Sequence, residues 1–412
     1  MRIFDCVIIG GGPAGLAASL EAFKNGSKVL LIERESSLGG ILKQCIHDGF
    51  GLLTFGEKLS GPEYAEKYID EVKKLKIPYQ VNSFVSKIKK EGEMYVLLVV
   101  SKNGVETIKT KNLIFSTGCR ERSAKQVFIQ GSRPYGVLTA GACQHLVNME
   151  GILPTKNCVI LGSGDIGLIM ARRLTLEGAN VIGVYEIKNE VSGLQRNVMQ
   201  CLNDYNIPLH LSTTVTRVFG NERLEAIEVA KVDNRMNVIK GTEEIIKCDS
   251  LILSVGLMPE NELAESLGVK IDSHAKGAIC DNNFETNIDH IYTCGNATHV
   301  NDLADYVSLS AEIAGKAVTK KHKERKLVNI DIKNNTLYVV PEMININDLQ
   351  EKTTMFFRSN KTLKNPTAII IVDGEVIFKK RYLALKPPEM EKIDVDFSKV
   401  KEKSEIEFTI EV

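Results

Sequence analysis

The sequence predicts an α/β fold: two doubly wound parallel sheets followed by a small β-rich C-terminal domain. Three observations predict it. First, Phe4-Asp-Cys-Val-Ile-Ile-Gly-Gly-Gly-Pro-Ala-Gly15 returns as Asn157-Cys-Val-Ile-Leu-Gly-Ser-Gly-Asp-Ile-Gly167, the same device 152 positions further on, from Gly10 to Gly162. Second, each copy is followed by apolar residues at helical spacing and then by a strand that ends in an acid, Glu33 or Glu186. Third, from about Leu327 glycines become scarce and short alternating runs appear, such as Thr336-Leu-Tyr-Val-Val340 and Ala368-Ile-Ile-Ile-Val372 before an Asp373-Gly374 turn.

Strand, glycine turn, helix, strand is the unit of a Rossmann-like dinucleotide-binding domain. In the first copy the helix places Leu16, Leu20 and Phe23 inward, and Gly26 stops it. Gly10 allows the tight turn, Gly12 lets the backbone approach a pyrophosphate at the helix N-terminus, and Gly15 lets helix and strand pack closely. Glu33, 18 residues beyond Gly15, stands where a carboxylate accepts from a ribose diol. Gly162, Gly164 and Gly167 repeat the three glycines, and Glu186 lies 19 residues beyond the last. An acid there repels a 2′-phosphate, which favours NAD over NADP; Lys188 is the one nearby cation arguing otherwise.

Residues 79 to 115 alternate as strands with turns at Glu91-Gly-Glu93 and Lys102-Asn-Gly104, and end at Ser116-Thr-Gly118. Residues 214 to 256 repeat the theme and end at Ser254-Val-Gly256. A third strand, Asn287 to Cys294, runs into Gly295 and Asn296 and then a helix through Leu309, Ala311, Ile313 and Ala317, a corner that points Asn296 and helix N-terminal amides at a long cofactor. The expected domains are residues 1–118 and 257–326 for the first nucleotide, 119–256 for the second, and 327–412 for the β-rich extension.

Composition narrows the function. Of 412 residues 43% are hydrophobic and 25% charged, so the chain can bury cores and is not a disordered protein. Lys plus Arg and Asp plus Glu both number 52, so no net field attracts nucleic acid. The run Lys320-Lys-His-Lys-Glu-Arg-Lys326 reads as a solvated connector. No apolar run reaches the ~18 residues of a membrane span, and a strand-like run begins at once, leaving no room for a signal peptide; the cytoplasm is the expected location. Nine cysteines include no C-x-x-C pair, so no metal or cluster is expected and the thiols read as reduced.

These motifs together resemble the pyridine nucleotide-disulfide oxidoreductases, the flavoproteins with two dinucleotide domains, over about residues 1 to 325. The resemblance implies FAD in the first unit, NAD(P)H in the second, and hydride passing between nicotinamide and flavin. It assigns Gly10, Gly12, Pro13, Ala14, Gly15, Glu33, Arg34, Gly40, Thr117, Gly118, Gly295 and Asn296 to FAD. Gly162, Gly164, Asp165, Ile166, Gly167, Glu186 and Gly256 fall to the nicotinamide nucleotide. Two features depart from the family: Asn296 replaces its usual Asp, and the redox cysteine pair is missing, which disfavours dithiol reduction.

Within the family the chain is most similar to the branch found with anaerobic glycerol-3-phosphate dehydrogenase. More distantly it resembles subunits of sarcosine oxidase, hydrogen cyanide synthase and opine or proline dehydrogenases. Gly39-Gly-Ile-Leu-Lys-Gln-Cys-Ile-His-Asp-Gly-Phe-Gly51, Thr117-Gly-Cys-Arg-Glu-Arg122, Arg133-Pro-Tyr-Gly-Val-Leu-Thr-Ala140 and Gly295-Asn-Ala-Thr-His-Val-Asn-Asp-Leu-Ala-Asp305 carry that likeness, and Leu385-Lys-Pro-Pro-Glu-Met390 resembles the branch's C-terminal extension. It implies a partner redox subunit. The wider family forms homodimers through a C-terminal interface domain, but the extension here resembles a different one, so a homo-oligomer stays open. Cys45 reads either as a redox thiolate or as a packed thiol beside the flavin, and His47 as an acid/base or a structural histidine. The alternatives to an NAD(P)H-linked flavoenzyme are a redox-silent assembly subunit and a peroxidase or NADH oxidase working through Cys45.

Overall fold

The computed structural model describes residues 2–320 and 324–412. They form two compact units, Met1–Cys119 with Pro259–Val412, and Arg120–Met258. Of the basic run at 320–326, residues 321–323 lie outside the described residues.

In the first unit β1 (Arg2–Ile9), α1 (Pro13–Lys24) and β2 (Val29–Ile32) follow one another, and α2 (Gly61–Lys74) leads to a meander of β3 (Ser83–Glu91), β4 (Met94–Ser101) and β5 (Gly104–Phe115). Helix α1 forms because Pro13 fits the first turn and its apolar residues bury Leu16 and Leu20; Asn25 and then Gly26, at φ +91°, end it. A capping box between Ser60 and Glu63 starts α2. Strand β5 does two jobs. Its first half pairs antiparallel with β4, and its last residues lie parallel to β1, with Ile9 opposite Phe115. Ile9 also faces Ile32 of β2, so the strands end level and their following loops converge at one edge. Doubly wound sheets bind ligands outside this edge, at the carboxyl ends of their strands.

The second unit repeats the plan. After α3 (Ala140–Asn148), β6 (Asn157–Leu161), α4 (Asp165–Leu176) and β7 (Asn180–Tyr185) follow, and β8 (Ser250–Leu253) returns parallel to β6, with Leu161 opposite both Tyr185 and Leu253. Between β7 and β8, Thr213–Phe219, Ala226–Lys231 and Glu244–Lys247 pair antiparallel in a four-stranded sheet whose fourth strand, Gln130–Gly131, lies parallel to Thr213–Phe219.

Back in the first unit, β9 (Ile291–Thr293) pairs parallel with the end of β5, and α5 (Ala304–Ala317) packs on α1. The helix expected directly after Asn296 is delayed. A single 3-10 turn, Gly295–Ala297, comes first, because the Asn296 side chain accepts the Asn301 amide at 2.9 Å and turns the chain before α5 begins.

Residues 327–412 form a five-stranded and a three-stranded sheet with a core of their own around Phe357, Phe408 and Ile370. Tyr338, Val340, Phe356 and Met390, however, join the core of the first nucleotide fold. Arg358 fastens the join, donating to the Tyr338 hydroxyl at 2.8 Å, to the Val300 carbonyl at 3.1 Å and to the Asp302 carboxylate. Arg325, read as part of a solvated connector, is buried instead. Its side chain is 6% exposed because Asp281 and Glu285, both buried, need a cation; it also bonds Asp289 at 2.6 Å.

Candidate nucleotide sites

The two glycine turns do the same three things. A Cβ on Gly10 would stand 2.3 Å from the Ser116 carbonyl oxygen, and one on Gly162 would stand 2.0 Å from that of Ser254. Both glycines also have positive φ, +108° and +99°, so the turn requires glycine there. A Cβ on Gly15 would meet the Gly10 oxygen at 1.8 Å, and one on Gly167 the Gly162 oxygen at 2.6 Å. These positions press helix on strand.

The middle glycines differ. Gly12 has an ordinary φ of −76° and a Cβ there would meet only the Gly40 Cα at 3.9 Å; Gly164, at φ −66°, would meet only the Ser254 hydroxyl at 3.7 Å. Nothing in the protein demands glycine at these two positions. Open space at the start of a helix is what an approaching anion needs, and α1 suits one: its N-cap Gly12 makes no side-chain cap and its first turn carries no acid. The residues therefore fit the pyrophosphate of a dinucleotide. Gly40 backs the cradle, its own Cβ position 2.9 Å from the Gly12 Cα at φ +57°, and Gly39 donates its amide to the Gly11 carbonyl at 2.9 Å. Pro13 and Ala14 form the first turn of α1.

Glu33 is buried, and its carboxylate accepts the Gly11 amide at 2.6 Å and the Glu35 amide at 2.7 Å. Glu186 matches it, accepting the Ser163 amide at 2.9 Å, the Ser163 hydroxyl at 2.5 Å and the Lys188 amide at 3.1 Å. Each acid thus ties the end of its second strand to its glycine turn, a contact the sequence does not announce. Arg34 is exposed and pairs with Glu260 at 2.9 Å. The Glu260 backbone in turn accepts the Thr117 hydroxyl at 2.6 Å and donates to the Gly118 carbonyl at 2.9 Å, which brings 117–118 to the same edge.

At α4 the first turn is not free of charge. Asp165 accepts the Leu194 amide at 2.9 Å and the Asn197 side-chain amide at 2.6 Å, folding residues 194–197 onto that end, and Ile166 beside it is half-buried. Gly256 accepts the Arg122 amide at 3.1 Å. Glu121 has a role sequence reasoning missed: it accepts the Gly141 amide at 2.7 Å and holds the start of α3. Ser116 was missed too; its hydroxyl donates to the Ile9 and Gly10 carbonyls, both at 2.9 Å, and its signal is the matching offset of Ser116 and Ser254 before their glycines.

Gly295 is buried and donates its amide to the Ser310 hydroxyl at 2.9 Å. Asn296 donates to the Cys119 sulfur at 3.5 Å while its oxygen takes Asn301. Cys45 donates its thiol to the Ile41 carbonyl at 3.4 Å, and burial pushes it up to about 11, so it is a thiol and not a thiolate at neutral pH. The His47 ring lies 5.2 Å from Phe50, next to a cluster of Phe55, Tyr64 and Tyr68. Asp305, the last residue of the family-like segment that starts at Gly295, anchors this segment, accepting the Thr54 amide at 2.8 Å and the Gly51 amide at 3.3 Å from the first turn of α5. Among the described residues no acid, histidine and cysteine group could hold a metal, and no helix is long and apolar enough to cross a membrane.

The chain is similar to known proteins. The chain is 27% identical over 288 residues to hydrogen cyanide synthase subunit HcnB of Pseudomonas protegens, covering 64% of this chain and 59% of that one; it spans under two thirds of that relative. It is 25% identical over 338 residues to ferredoxin–NADP reductase 1 of Bacillus anthracis, covering 77% and 89%. The fold matches that of T. acidophilum thioredoxin reductase with a TM-score of 0.63 at 21% identity, over 77% of this chain and 98% of that one. The family model for pyridine nucleotide-disulphide oxidoreductases matches residues 4–320 and so runs through both glycine turns. The chain therefore belongs to the pyridine nucleotide-disulphide oxidoreductases, a family of FAD-dependent enzymes that use a nicotinamide nucleotide.

Proposed function

We propose that this chain moves hydride between NADH and its own FAD and exchanges the electrons with a partner dehydrogenase subunit. The observation that carries the reading is the duplicated cradle, in which Gly12 and Gly164 alone leave room where a pyrophosphate would sit. The two cofactors supply the hydride chemistry. The chain's part is placement: the open space at Gly12 and the α1 N-terminus hold the FAD phosphates, Glu33 takes the ribose, and Thr117, Gly118, Gly295 and Asn296 line the approach to the flavin. Glu186, a buried carboxylate at the matching point of the second unit, favours NADH over NADPH by repelling a 2′-phosphate.

The partner reading draws on the lost cysteine pair, which leaves no dithiol to carry electrons onward, and on relatives that are themselves named as subunits of a synthase. A glycerol 3-phosphate dehydrogenase subunit is the partner the branch resemblance supports. The protonated Cys45 stands against a single-cysteine peroxidase. All nine cysteines are free thiols, which suits the reducing cytoplasm.

An anaerobic NADH titration of the purified chain, followed by visible absorbance, tests the reading. A flavin band near ~450 nm that bleaches stoichiometrically, and faster with NADH than with NADPH, is the expected result. A flavin band that NADH leaves unchanged refutes hydride transfer and makes the chain an assembly subunit.

A further inference from the structure

The outer face of the β3–β5 meander is apolar where a solvated face is expected. Cross-strand pairing aligns Phe84, Val100 and Val105 in one row and Lys87, Leu98 and Thr107 in the next. Phe84 is 53% exposed, Val105 64%, Val100 39% and Leu98 38%. Side chains that face one another across strands are in contact, so these form one continuous strip and not scattered surface residues. The row of Phe84, Val100 and Val105 runs to the edge of a cleft of about 460 Å³ whose lining includes Val81, Val105, Asn82, Lys102 and the ion pair of Arg2 with Glu106.

The charge around the strip is one-sided. Lys109 is neutralised by Glu91 at 3.0 Å and Arg2 by Glu106 at 2.9 Å. Lys87, Lys89 and Lys102 have no ion pair among the described residues. In a chain whose positive and negative residues balance, 52 against 52, this is a local feature and not a reflection of overall charge. Lysines on the edge strand β3 also discourage edge-to-edge pairing, but that duty does not require Phe84 and Val105 to be exposed.

We propose that this face, with its cleft, docks an acidic, apolar segment of a protein partner. Complementary charge selects the acidic character, and the strip selects alternating apolar side chains. A second copy of this chain would bring the same three lysines against these and be repelled. A lipid surface would cover the strip but could not fill the cleft beside it. The surface is independent of the hydride reading, because none of its residues belongs to either glycine turn.

The probe is a short labelled peptide alternating glutamate with leucine and phenylalanine, with a control carrying lysine for glutamate, read by fluorescence anisotropy against the FAD-loaded full chain. The acidic peptide is expected to bind and the basic control not. Phe84→Ser with Val105→Ser, and separately Lys87→Glu with Lys89→Glu, are expected to weaken binding about tenfold or more. Both pairs are exposed, and an unchanged flavin spectrum and melting temperature check that each variant is folded. Equal binding to the variants, or to the basic control, overturns the proposal. So does binding to anionic phosphatidylglycerol vesicles, or a dimer seen by sedimentation, if either is lost in these same variants.

Discussion

Gly12→Ala separates a glycine kept for the fold from one kept for a ligand. At φ −76° the alanine is unstrained, and its methyl group would have only the Gly40 Cα within 4 Å, at 3.9 Å. The stiffer unfolded chain contributes about 0.4–1 kcal/mol of stability. The poorer N-cap offsets this by a similar amount, so the cofactor-free protein changes by less than about 1 kcal/mol, a shift of a few degrees in melting temperature. The FAD site behaves otherwise. The methyl fills the space before the α1 amides and displaces a phosphate from one charge-assisted hydrogen bond, about 1.5–3 kcal/mol, or roughly tenfold to a hundredfold in affinity. Gly15→Ala is the contrast: its Cβ would stand 1.8 Å from a backbone oxygen and 2.8 Å from the Ser116 hydroxyl, an overlap costing about 3 kcal/mol or more in the protein without cofactor. Flavin titration of the apoprotein and thermal melting without FAD measure the two quantities apart. Wild-type FAD affinity in Gly12→Ala would refute the assignment of this space to a pyrophosphate, and a collapsed melt would refute the claim that the space is open.

In the second unit, Gly164→Ala is expected to raise the KM for NADH about tenfold with the bound flavin spectrum intact; a change in FAD content instead would mean that the two turns are not separate sites. With its thiol at about 11, Cys45 is about one-thousandth thiolate at pH 8, so iodoacetamide should modify it slowly and at a rate that climbs steeply above pH 9; fast labelling at pH 7 would contradict this. The Glu342 carboxyl accepts the Cys280 amide at 3.0 Å, and its enclosure raises it to about 8. A carboxyl raised above its unfolded value near ~4.3 holds stability below that value and loses it as pH rises to about 8. Glu342→Gln should therefore melt higher than wild type at pH 8 and show a flatter dependence between pH 5 and 8, and parallel profiles would sink the argument. Arg358→Met leaves the Tyr338 hydroxyl and the Val300 carbonyl without their donor and should cost about 1–3 kcal/mol in chemical denaturation; an unchanged stability would show that the apolar contacts alone join the C-terminal sheets to the nucleotide fold.

The sequence by itself determined the repeated strand, turn and helix, the tight-turn and close-packing glycines of each set, the acid after each second strand, and the change of texture near residue 327. Those features are local: period, turn chemistry and helix stops depend on residues within a few positions of each other. Only the tertiary structure decided what joins positions far apart in the chain. It turned Glu33 and Glu186 back onto their own glycine turns, placed Glu121 at the start of α3, and set Asp305 under the segment that carries Cys45 and His47. It buried Arg325 between acids and sent Arg358 into the corner after His299. A run of charges reads the same in one dimension whether water or a buried carboxylate faces it. Packing makes that choice, because a buried charge is stable only where the fold brings its counter-charge within hydrogen-bonding reach.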